Sequence, residues 1–427
     1  MLKHVALAAS ALALLAAGAA SAQAAWQPEA IPGTTGALAL NSFGFDRQGT
    51  ASLVFEAFDQ PQRFTGTATR AAGDGTWTRG ANIPGIGWAG AEVQLYASTR
   101  ALLVTRQVRS FGRFNRANFR LVYALGRTSG GFGTYRQIAS SANVPASAVN
   151  PAGDALVAYT PQNGTAVRVS ERRAGGRFGT PRILSSGGAL SPAVAVDARG
   201  DRVVAWFRGN RVEARVKLAG HNWGSVLTAA RLTRTPNASL RALMTSDGRA
   251  VLAWQTLDIR EGHPSQVAAG VALRPRNAGW RGALLEQSTL GAQAQPGDAD
   301  AIPLVDTRGD VHVVWTGRWQ EGTGVRIAQV TNAARIHGPD LLSAEDQSAT
   351  LDDAAAGPQN QIAVTYFAAN GTWVNTGAGA PVPLTPAGET AIAGSRVAFS
   401  PQTAQPLVVR PFVSGSQGAL VASAPIP

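Results

Sequence analysis

A pattern of short β-type runs returns about every fifty residues along this 427-residue chain. Its clearest copies are VAVDARGDRVVAW at 194–206 and VEARVKLAGHNWGSVLT at 212–228. Each copy holds four runs rich in β-branched and aromatic residues, separated by turn residues. A repeat built from four short strands is typical of one blade of a β-propeller. The pattern therefore predicts an all-β chain of four-stranded antiparallel blades.

A glycine turn between the first and second strand of each unit indicates how many blades the chain forms. Clear copies of this turn occur at Gly49, Gly153, Gly200, Gly248 and Gly309. Degenerate copies at 93–106, 354–367 and 397–410 raise the number of units to eight. Seven blades is the alternative, because the unit at 354–385 is short.

Two framework positions within the repeat explain most of its polar turn residues and aromatics. Aspartates in the glycine turns are placed to accept hydrogen bonds from their own backbone while glycine takes the positive φ; these are Asp46, Asp197, Asp247 and Asp306. An aromatic residue ends the second strand of several units, and we expect it to pack between blades: Phe55, Tyr159, Trp206, Trp254, Trp315 and Tyr366.

The two ends of the chain predict how the ring closes. The eighth unit supplies only three strands and ends at GALVASA, residues 418–424. The segment WQPEAI at 26–31 resembles an outer fourth strand. Pairing of this N-terminal strand into the last blade would hide edges that otherwise promote aggregation. We therefore expect a propeller closed by its N-terminal strand.

Residues 1–22 read as a signal peptide, with a basic start, an apolar stretch and a small-residue exit at Ala20-Ser21-Ala22. Residues 23–427 then form a single propeller domain, in which no run is long enough to predict a membrane span. The chain has no cysteine, hence neither a disulfide nor the acceptor thiol of a lipid anchor. We expect a secreted monomer that is extracellular or associated with the cell surface.

The formal net charge is +12, from 38 basic and 26 acidic residues. A basic exported protein attracts acidic polysaccharides and anionic envelope polymers, and it also attracts nucleic acid non-specifically. Almost all of the basic residues are arginines, which bind carboxylate and sulfate groups bidentately. Composition thus favours an anionic partner without identifying it.

Blade geometry predicts where binding residues lie. The glycine turns occupy one face of an antiparallel propeller, and the hairpins between second and third strands occupy the other face together with the blade connections. Variable loops on a rigid scaffold usually carry binding residues. Arginines alternate with phenylalanines at 106–116, an arrangement suited to acidic groups on a stacked sugar. The predicted ligand-binding residues on this face are Trp88, Arg106, Arg109, Arg113, Arg116, Asp258, Glu261, His263, Arg318 and Trp319.

The units resemble the secreted bacterial β-propeller repeat proteins often labelled sialidase-like, on VAVDARGDRVVAW, VRVSERRAGGRFGTPRILS (167–185) and ALMTSDGRAVLAW (242–254). This resemblance implies the fold rather than a reaction. Sialidases carry an Asp box, and the nearest segment here, GDGTW at 73–77, lacks its spacing. They also use a tyrosine nucleophile, for which Tyr96 on a predicted inner strand is the one candidate.

Other chemical signals are weak. No nucleophile elbow, P-loop, dinucleotide fingerprint or two-histidine zinc spacing is present. Acidic clusters are predicted to lie in blade connections and to be solvated rather than to bind metal; they comprise Asp298, Asp300, Glu345, Asp346, Asp352 and Asp353. Paired carboxylates for glycoside hydrolysis could still meet across the channel. We assign no catalytic residue, metal or cofactor.

The sequence favours a non-catalytic propeller that binds an extracellular ligand through its variable loops. The expected ligand is an anionic glycan or another surface protein. Two alternatives stay open: a sialidase-like or lyase-like enzyme acting on glycans, and a structural or adhesive surface module.

Overall fold

The computed structural model describes residues 26–59, 62–73, 75–80, 82, 91–96, 100–111, 117–127, 131–143, 145–232, 237–260, 263–290, 300–319, 322–344, 348–368, 371–377, 379–386, 389–414 and 417–426. Within these residues, no helix has both the length and the apolar character of a membrane span.

The described residues are mainly in β-strands, and the first half of the chain builds four blades. The strands of this half are β1 (Trp26–Ala30), β2 (Ala37–Phe45), β3 (Ala51–Asp59), β4 (Gln62–Arg70), β5 (Trp77–Arg79), β6 (Ala91–Tyr96), β7 (Arg100–Phe111), β8 (Ala117–Arg127), β9 (Arg136–Ala139), β10 (Ala146–Val149), β11 (Ala155–Tyr159), β12 (Arg168–Arg172), β13 (Arg182–Ile183), β14 (Ala189–Val196), β15 (Arg202–Arg208), β16 (Arg211–Lys217) and β17 (Leu227–Arg231).

The second half builds four more blades, with one 3₁₀ turn at Pro358–Asn360. Its strands are β18 (Asn237–Met244), β19 (Ala250–Arg260), β20 (His263–Arg274), β21 (Arg281–Leu290), β22 (Ala301–Val305), β23 (Val311–Trp319), β24 (Gly322–Val330), β25 (Ile336–Leu341), β26 (Thr350–Ala356), β27 (Ile362–Ala368), β28 (Gly371–Asn375), β29 (Val382–Pro383), β30 (Thr390–Ala391), β31 (Arg396–Phe399), β32 (Pro406–Ser414) and β33 (Gln417–Pro425).

Eight antiparallel sheets form the ring, as the repeat predicts. Blades one to seven each take four consecutive strands in chain order, beginning with β2, β6, β10, β14, β18, β22 and β26. The eighth blade has an interrupted inner strand, β30 and β31, followed by β32, β33 and β1. The pairing of β1 with β33 runs from Trp26 opposite Pro425 to Ala30 opposite Val421. The predictions of eight blades and of closure by the N-terminal strand are both confirmed.

The hydrophobic core lies between the blades. The aromatic residue at the end of the second strand is at most 3% exposed in all six units where the sequence predicts it. Trp206 of the fourth blade packs with Ala158 of the third, and Trp315 of the sixth blade packs with Val271 of the fifth. Burial of large apolar surface between neighbours joins the repeats into one body, because one blade alone cannot cover both of its faces.

The glycine turns have the predicted geometry. All five clear copies have φ between +83° and +96°, a range that residues with a Cβ rarely adopt. Asp46, Asp197 and Asp306 each accept two backbone N–H groups through Oδ1. In the fifth blade Thr245 takes this position, with Oγ1 accepting the Arg249 N–H, and Asp247 lies two residues farther along the turn.

Blade order defines two faces of the ring. The first strands of all blades lie innermost, so their starts point to one face and their ends to the other. We name the face at their starts the hairpin face, because it carries the hairpins between second and third strands, such as that between β7 and β8. The opposite face carries the glycine turns, and we name it the turn face.

Candidate functional site

Charged side chains from the inner strands of separate blades meet in the central channel. They come from the innermost strands of separate blades: Glu92 from β6, Arg241 from β18 and Asp353 from β26. Glu92 and Asp353 both raise the pKa of Arg241 through their charge. These three residues belong to the second, fifth and seventh blades, so they interact by facing a common channel. We name Glu92, Arg241, Asp300, Asp353 and Arg396 the mouth cluster; Arg396 is included because its charge acts on Asp353 and lowers its pKa, against the larger effect of burial.

Arg241 is the exposed cation of the mouth cluster. Its side chain is 55% exposed and forms an ion pair with Asp300, with 2.5 Å between Nη2 and Oδ2. The Asp300 charge is the main cause of the raised pKa of Arg241, and burial opposes it. Asp300 precedes β22 and also accepts the Ala301 N–H. The pair therefore links the fifth and sixth blades and leaves guanidinium surface open to the channel.

Glu92 links the second and third blades. Its Oε2 accepts both the backbone N–H of Ser147 at 3.0 Å and the Ser147 hydroxyl at 2.6 Å. Burial raises the pKa of Glu92, and the hydrogen bonds from Ser147 and the charge of Arg241 offset part of that rise. A carboxyl with a raised pKa is a frequent feature of functional sites, although structural hydrogen-bond networks perturb pKa values as well.

Two aspartates join the seventh and eighth blades. Asp352 accepts hydrogen bonds from the backbone N–H groups of Gly394 and Ser395 and from the Ser395 hydroxyl. Asp353 accepts the Val397 N–H at 3.0 Å. Burial raises the pKa of both aspartates. The expectation that these two residues lie in a solvated blade connection is wrong: they belong to inner strand β26, where they satisfy the backbone of the interrupted inner strand next to it.

The hairpin between β7 and β8 rises from the same face. At its base the Arg106 guanidinium lies over the Phe119 ring, 4.7 Å from the centroid. Arg120 donates to Gln107 through Nε at 2.8 Å. Burial lowers the pKa of Arg106. The predicted combination of arginine and aromatic side chains is thus present where this hairpin leaves the ring.

The structure describes only part of the predicted ligand-binding set. Arg106 is described with its side chain. For five others only the backbone is described: Arg109, Asp258, His263, Arg318 and Trp319. Their backbone lies in strands rather than in the loops that the sequence predicts, because strand pairing continues outward along each hairpin. Trp88, Arg113, Arg116 and Glu261 lie outside the described residues, as do Asp298, Glu345 and Asp346. Their role in binding stays a prediction.

The tyrosines do not line the channel. Tyr96 is 6% exposed and packs between the second and third blades, against Gly153 and Tyr159. Tyr123, Tyr159 and Tyr366 are at most 2% exposed. Tyr135 is half-buried and packs against the core cluster shared by the first and second blades, and its hydroxyl is buried. The idea that Tyr96 could act as a nucleophile at the channel is therefore wrong, because its ring is part of the interblade core.

The histidine and acidic side chains of the described part of the chain form no metal-binding group. There, no three His, Cys, Asp or Glu side chains are close enough to hold a metal ion. Nε2 of His312, in β23, lies 3.3 Å from Oδ2 of Asp306, which is in a glycine turn on the turn face. No sequence motif predicts Glu92, Arg241 and Arg396 as site residues, although a charged residue in an otherwise apolar inner strand is a visible signal.

Glu92→Gln should become less destabilising as the pH rises. A carboxyl whose folded pKa is raised contributes its full stability below the unfolded pKa and loses it as the pH rises through the folded pKa. Glutamine does not titrate, so the wild type's advantage in unfolding free energy should be largest near about pH 4 and smaller near about pH 7. Denaturant unfolding at both values measures this, with Asp340→Asn on exposed β25 as control. An advantage that grows with pH would contradict the prediction.

No protein-family model and no curated protein matches this chain. Solved structures with a similar fold include the Dos1 propeller, with a TM-score of 0.51 and 13% identity over 93% of this chain and 95% of that one. An ulvan lyase from a new polysaccharide lyase family has a TM-score of 0.49 and 10% identity, covering 90% of this chain and 94% of its own. Polysaccharide lyase Uly1 has a TM-score of 0.49 and 9% identity, covering 93% and 91%. The likeness of this chain to known propellers, some of them glycan-active, is one of fold.

Proposed function

We propose that this chain is an exported, monomeric and non-catalytic β-propeller that binds an anionic glycan on its hairpin face. The observation that carries this proposal is the convergence of the mouth cluster, from separate blades, in the central channel. A ligand site usually combines a rigid concave surface with a few fixed polar groups. The ring supplies the rigid surface, and the mouth cluster supplies the fixed polar groups.

The mouth cluster is held in place before any ligand arrives. Asp300 fixes Arg241, Ser147 fixes Glu92, and the Val397 N–H fixes Asp353. Side chains that are already ordered lose little entropy on binding, which raises affinity for a given set of contacts. Sugar hydroxyls can both donate to these carboxylates and accept from the exposed guanidinium of Arg241.

The hairpin between β7 and β8 would supply the contact with the acidic group of the glycan. The sequence places Arg109, Arg113 and Arg116 in this hairpin, and at its base Arg106 already stacks on an aromatic ring. Arginine binds carboxylate or sulfate with two parallel hydrogen bonds. The excess of basic residues over acidic ones favours the approach of such a ligand from solution.

Two features support binding without turnover. The five tyrosines pack into the hydrophobic clusters of the blades. Of the mouth carboxylates, Glu92 and Asp353 accept hydrogen bonds from neighbouring blades. A carboxylate that already holds its neighbour in place is less free to attack substrate or to exchange a proton with it.

A glycan array read at low and at physiological salt tests the proposal. We expect selectivity for one acidic linkage that persists at the higher salt, where a diffuse charge effect is screened. Arg106→Ala/Arg109→Ala should weaken that binding by roughly tenfold or more, the effect of losing about one charged hydrogen bond. The control, Arg47→Ala/Arg127→Ala, removes the same charge from exposed positions on the turn face. Equal losses in both variants would favour a surface-protein partner or a structural role.

Hydrolysis or lyase cleavage of a glycan is the second candidate, because Glu92 and Asp353 combine a channel position with a raised pKa. A carboxyl with a raised pKa keeps its proton to a higher pH than an ordinary carboxyl, as a general acid requires. Incubation with the glycan that the array selects, followed by analysis for new reducing ends or unsaturated uronates, separates the two candidates. Turnover abolished by both Glu92→Gln and Asp353→Asn would establish the enzyme and overturn non-catalytic binding.

Export and the monomeric state are tested on the expressed full-length chain. N-terminal sequencing of protein from the culture medium should find a start at Gln23, after the predicted signal peptide. Light scattering should give the mass of one chain. Protein retained inside the cell with residues 1–22 attached would contradict the export part of the proposal.

A further inference from the structure

A basic groove lies on the turn face between the third and fourth blades, away from the mouth cluster. Its volume is about 680 Å³, within the range of pockets that hold small ligands. The glycine turns and outer turns of both blades form its walls. We name it the basic groove; its charged residues are Asp154, Glu171, Arg173, Arg182, Arg199, Arg202 and Lys217.

Internal partners already occupy both carboxylates of the basic groove. Glu171 accepts hydrogen bonds from Lys217 Nζ at 2.6 Å and from Trp223 Nε1 at 2.6 Å, and it also pairs with Arg202. Asp154 accepts the Ala174 N–H at 2.9 Å. Glu171 is therefore already paired with two cations, and five cations face two carboxylates in the groove.

Glu171 fixes the basic wall of the groove. Burial acts to raise its pKa, but the hydrogen bonds from Lys217 and Trp223 and the charges of Arg202 and Lys217 outweigh burial and hold the pKa below the ordinary value. Glu171 thus stays ionised and orders two cations at once. The Lys217 ammonium also lies over the Trp223 ring, 5.9 Å from the centroid. Such a wall is ordered in advance of ligand binding.

Two arginines of the groove remain uncommitted. Arg173 and Arg182 are exposed, and within the described part of the chain neither forms an ion pair or a side-chain hydrogen bond. Arg199, by contrast, pairs with Asp197 at 3.0 Å. The groove therefore presents free guanidinium donors beside an ordered basic wall.

The matching groove between the eighth and first blades shows that this charge does not follow from propeller geometry. That groove is formed by the same kinds of turns and has a volume of about 270 Å³. Arg70 is its single charged lining residue, and it pairs with Glu29 across 3.8 Å. Repeat architecture requires grooves between blades, but it does not require five cations in one of them.

We propose that the basic groove is a second binding site, which takes a short acidic sugar segment bearing carboxylate or sulfate groups. Arg173 and Arg182 contact the acidic groups, and Arg202 and Lys217 provide a fixed positive field beneath them. Because this site lies on the opposite face from the mouth cluster, it does not depend on the proposed function of the hairpin face.

Titration calorimetry on the full chain tests the basic groove. The probes are a tetragalacturonate for carboxylates, a heparin-derived tetrasaccharide for sulfates and a neutral cellotetraose. We expect at least one acidic probe to bind and the neutral probe not to bind. Arg173→Ala/Arg182→Ala should reduce affinity at this site by roughly tenfold or more, since charged hydrogen bonds are lost. The two acidic probes identify which group the groove prefers.

Two controls separate the groove from diffuse charge and from the hairpin face. Arg47→Ala/Arg127→Ala removes the same charge outside the groove and should leave affinity within about twofold. Arg106→Ala/Arg109→Ala should leave groove binding unchanged even if hairpin-face binding is lost or never existed. Equal losses in the groove variant and its charge-matched control would overturn the proposal, as would tighter binding of a single-stranded DNA of equal charge. Arg173→Gln/Arg182→Gln serves if the alanine variant does not fold.

Discussion

A chain that begins at residue 36, and so lacks β1, should lose roughly 5 kcal/mol of unfolding free energy compared with a chain that begins at residue 25. Ile31 is 3% exposed, and burial of such a side chain contributes about 1.5–3 kcal/mol. The paired backbone of β1 and β33 adds hydrogen bonds of about 1 kcal/mol each. Thr34 also donates to the Ile31 carbonyl and accepts the Leu420 N–H. Denaturant titration of both chains measures the loss.

The same truncation should cause self-association. Without β1, the β33 edge has unpaired N–H and C=O groups, and such an edge recruits other strands. Light scattering should show oligomers whose fraction rises with concentration. A synthetic peptide spanning 24–35, added in excess, should restore the monomer. A truncated chain that stays monomeric and keeps full stability would show that β1 does not close the ring in solution.

Trp206→Ala should cost about 3–5 kcal/mol of unfolding free energy, as is typical of a large aromatic removed from a core. Trp206 is completely buried between the third and fourth blades. Its Nε1 donates to Glu213 Oε2 at 3.0 Å, so the substitution also leaves a buried carboxylate without that donor. Denaturant unfolding measures the change. The slope of the unfolding free energy against denaturant concentration is compared between the variants.

Trp206→Phe is the matched control for this prediction. It keeps an aromatic ring in the same interblade cavity and removes only the indole N–H and part of the volume. Its cost should be clearly smaller than that of the alanine variant. Near-equal costs would mean that the hydrogen bond to Glu213, rather than packing between blades, dominates the contribution of Trp206.

The fold could be predicted well from the sequence because its signals are local and repeated. A positive φ at Gly200 and a backbone-bonding side chain at Asp197 come from the turn itself. The same turn at other repeats sets the number of blades. The buried aromatic at the end of the second strand is likewise visible in each unit. Repetition turns several weak local signals into one strong prediction of architecture.

The candidate site could be predicted only in part, because its members meet through ring closure. Glu92, Arg241 and Asp353 lie in three separate blades and share no motif. TLDDAAA, the segment of β26, has low strand propensity, so the sequence predicts a connection for its two aspartates. Pairing with β27 and hydrogen bonds to residues 394–397 make it an inner strand instead.

Local chemistry in the sequence by itself determined the repeat, the turns, the interblade aromatics and the strand that closes the ring, since each depends on residues within one unit or at the chain ends. The tertiary structure alone decided which charges face one another. The mouth cluster forms because eight first strands surround one channel, and the basic groove forms because turns of two neighbouring blades meet. Charges act through space over several ångströms, so their partners depend on how the blades are arranged rather than on spacing along the chain.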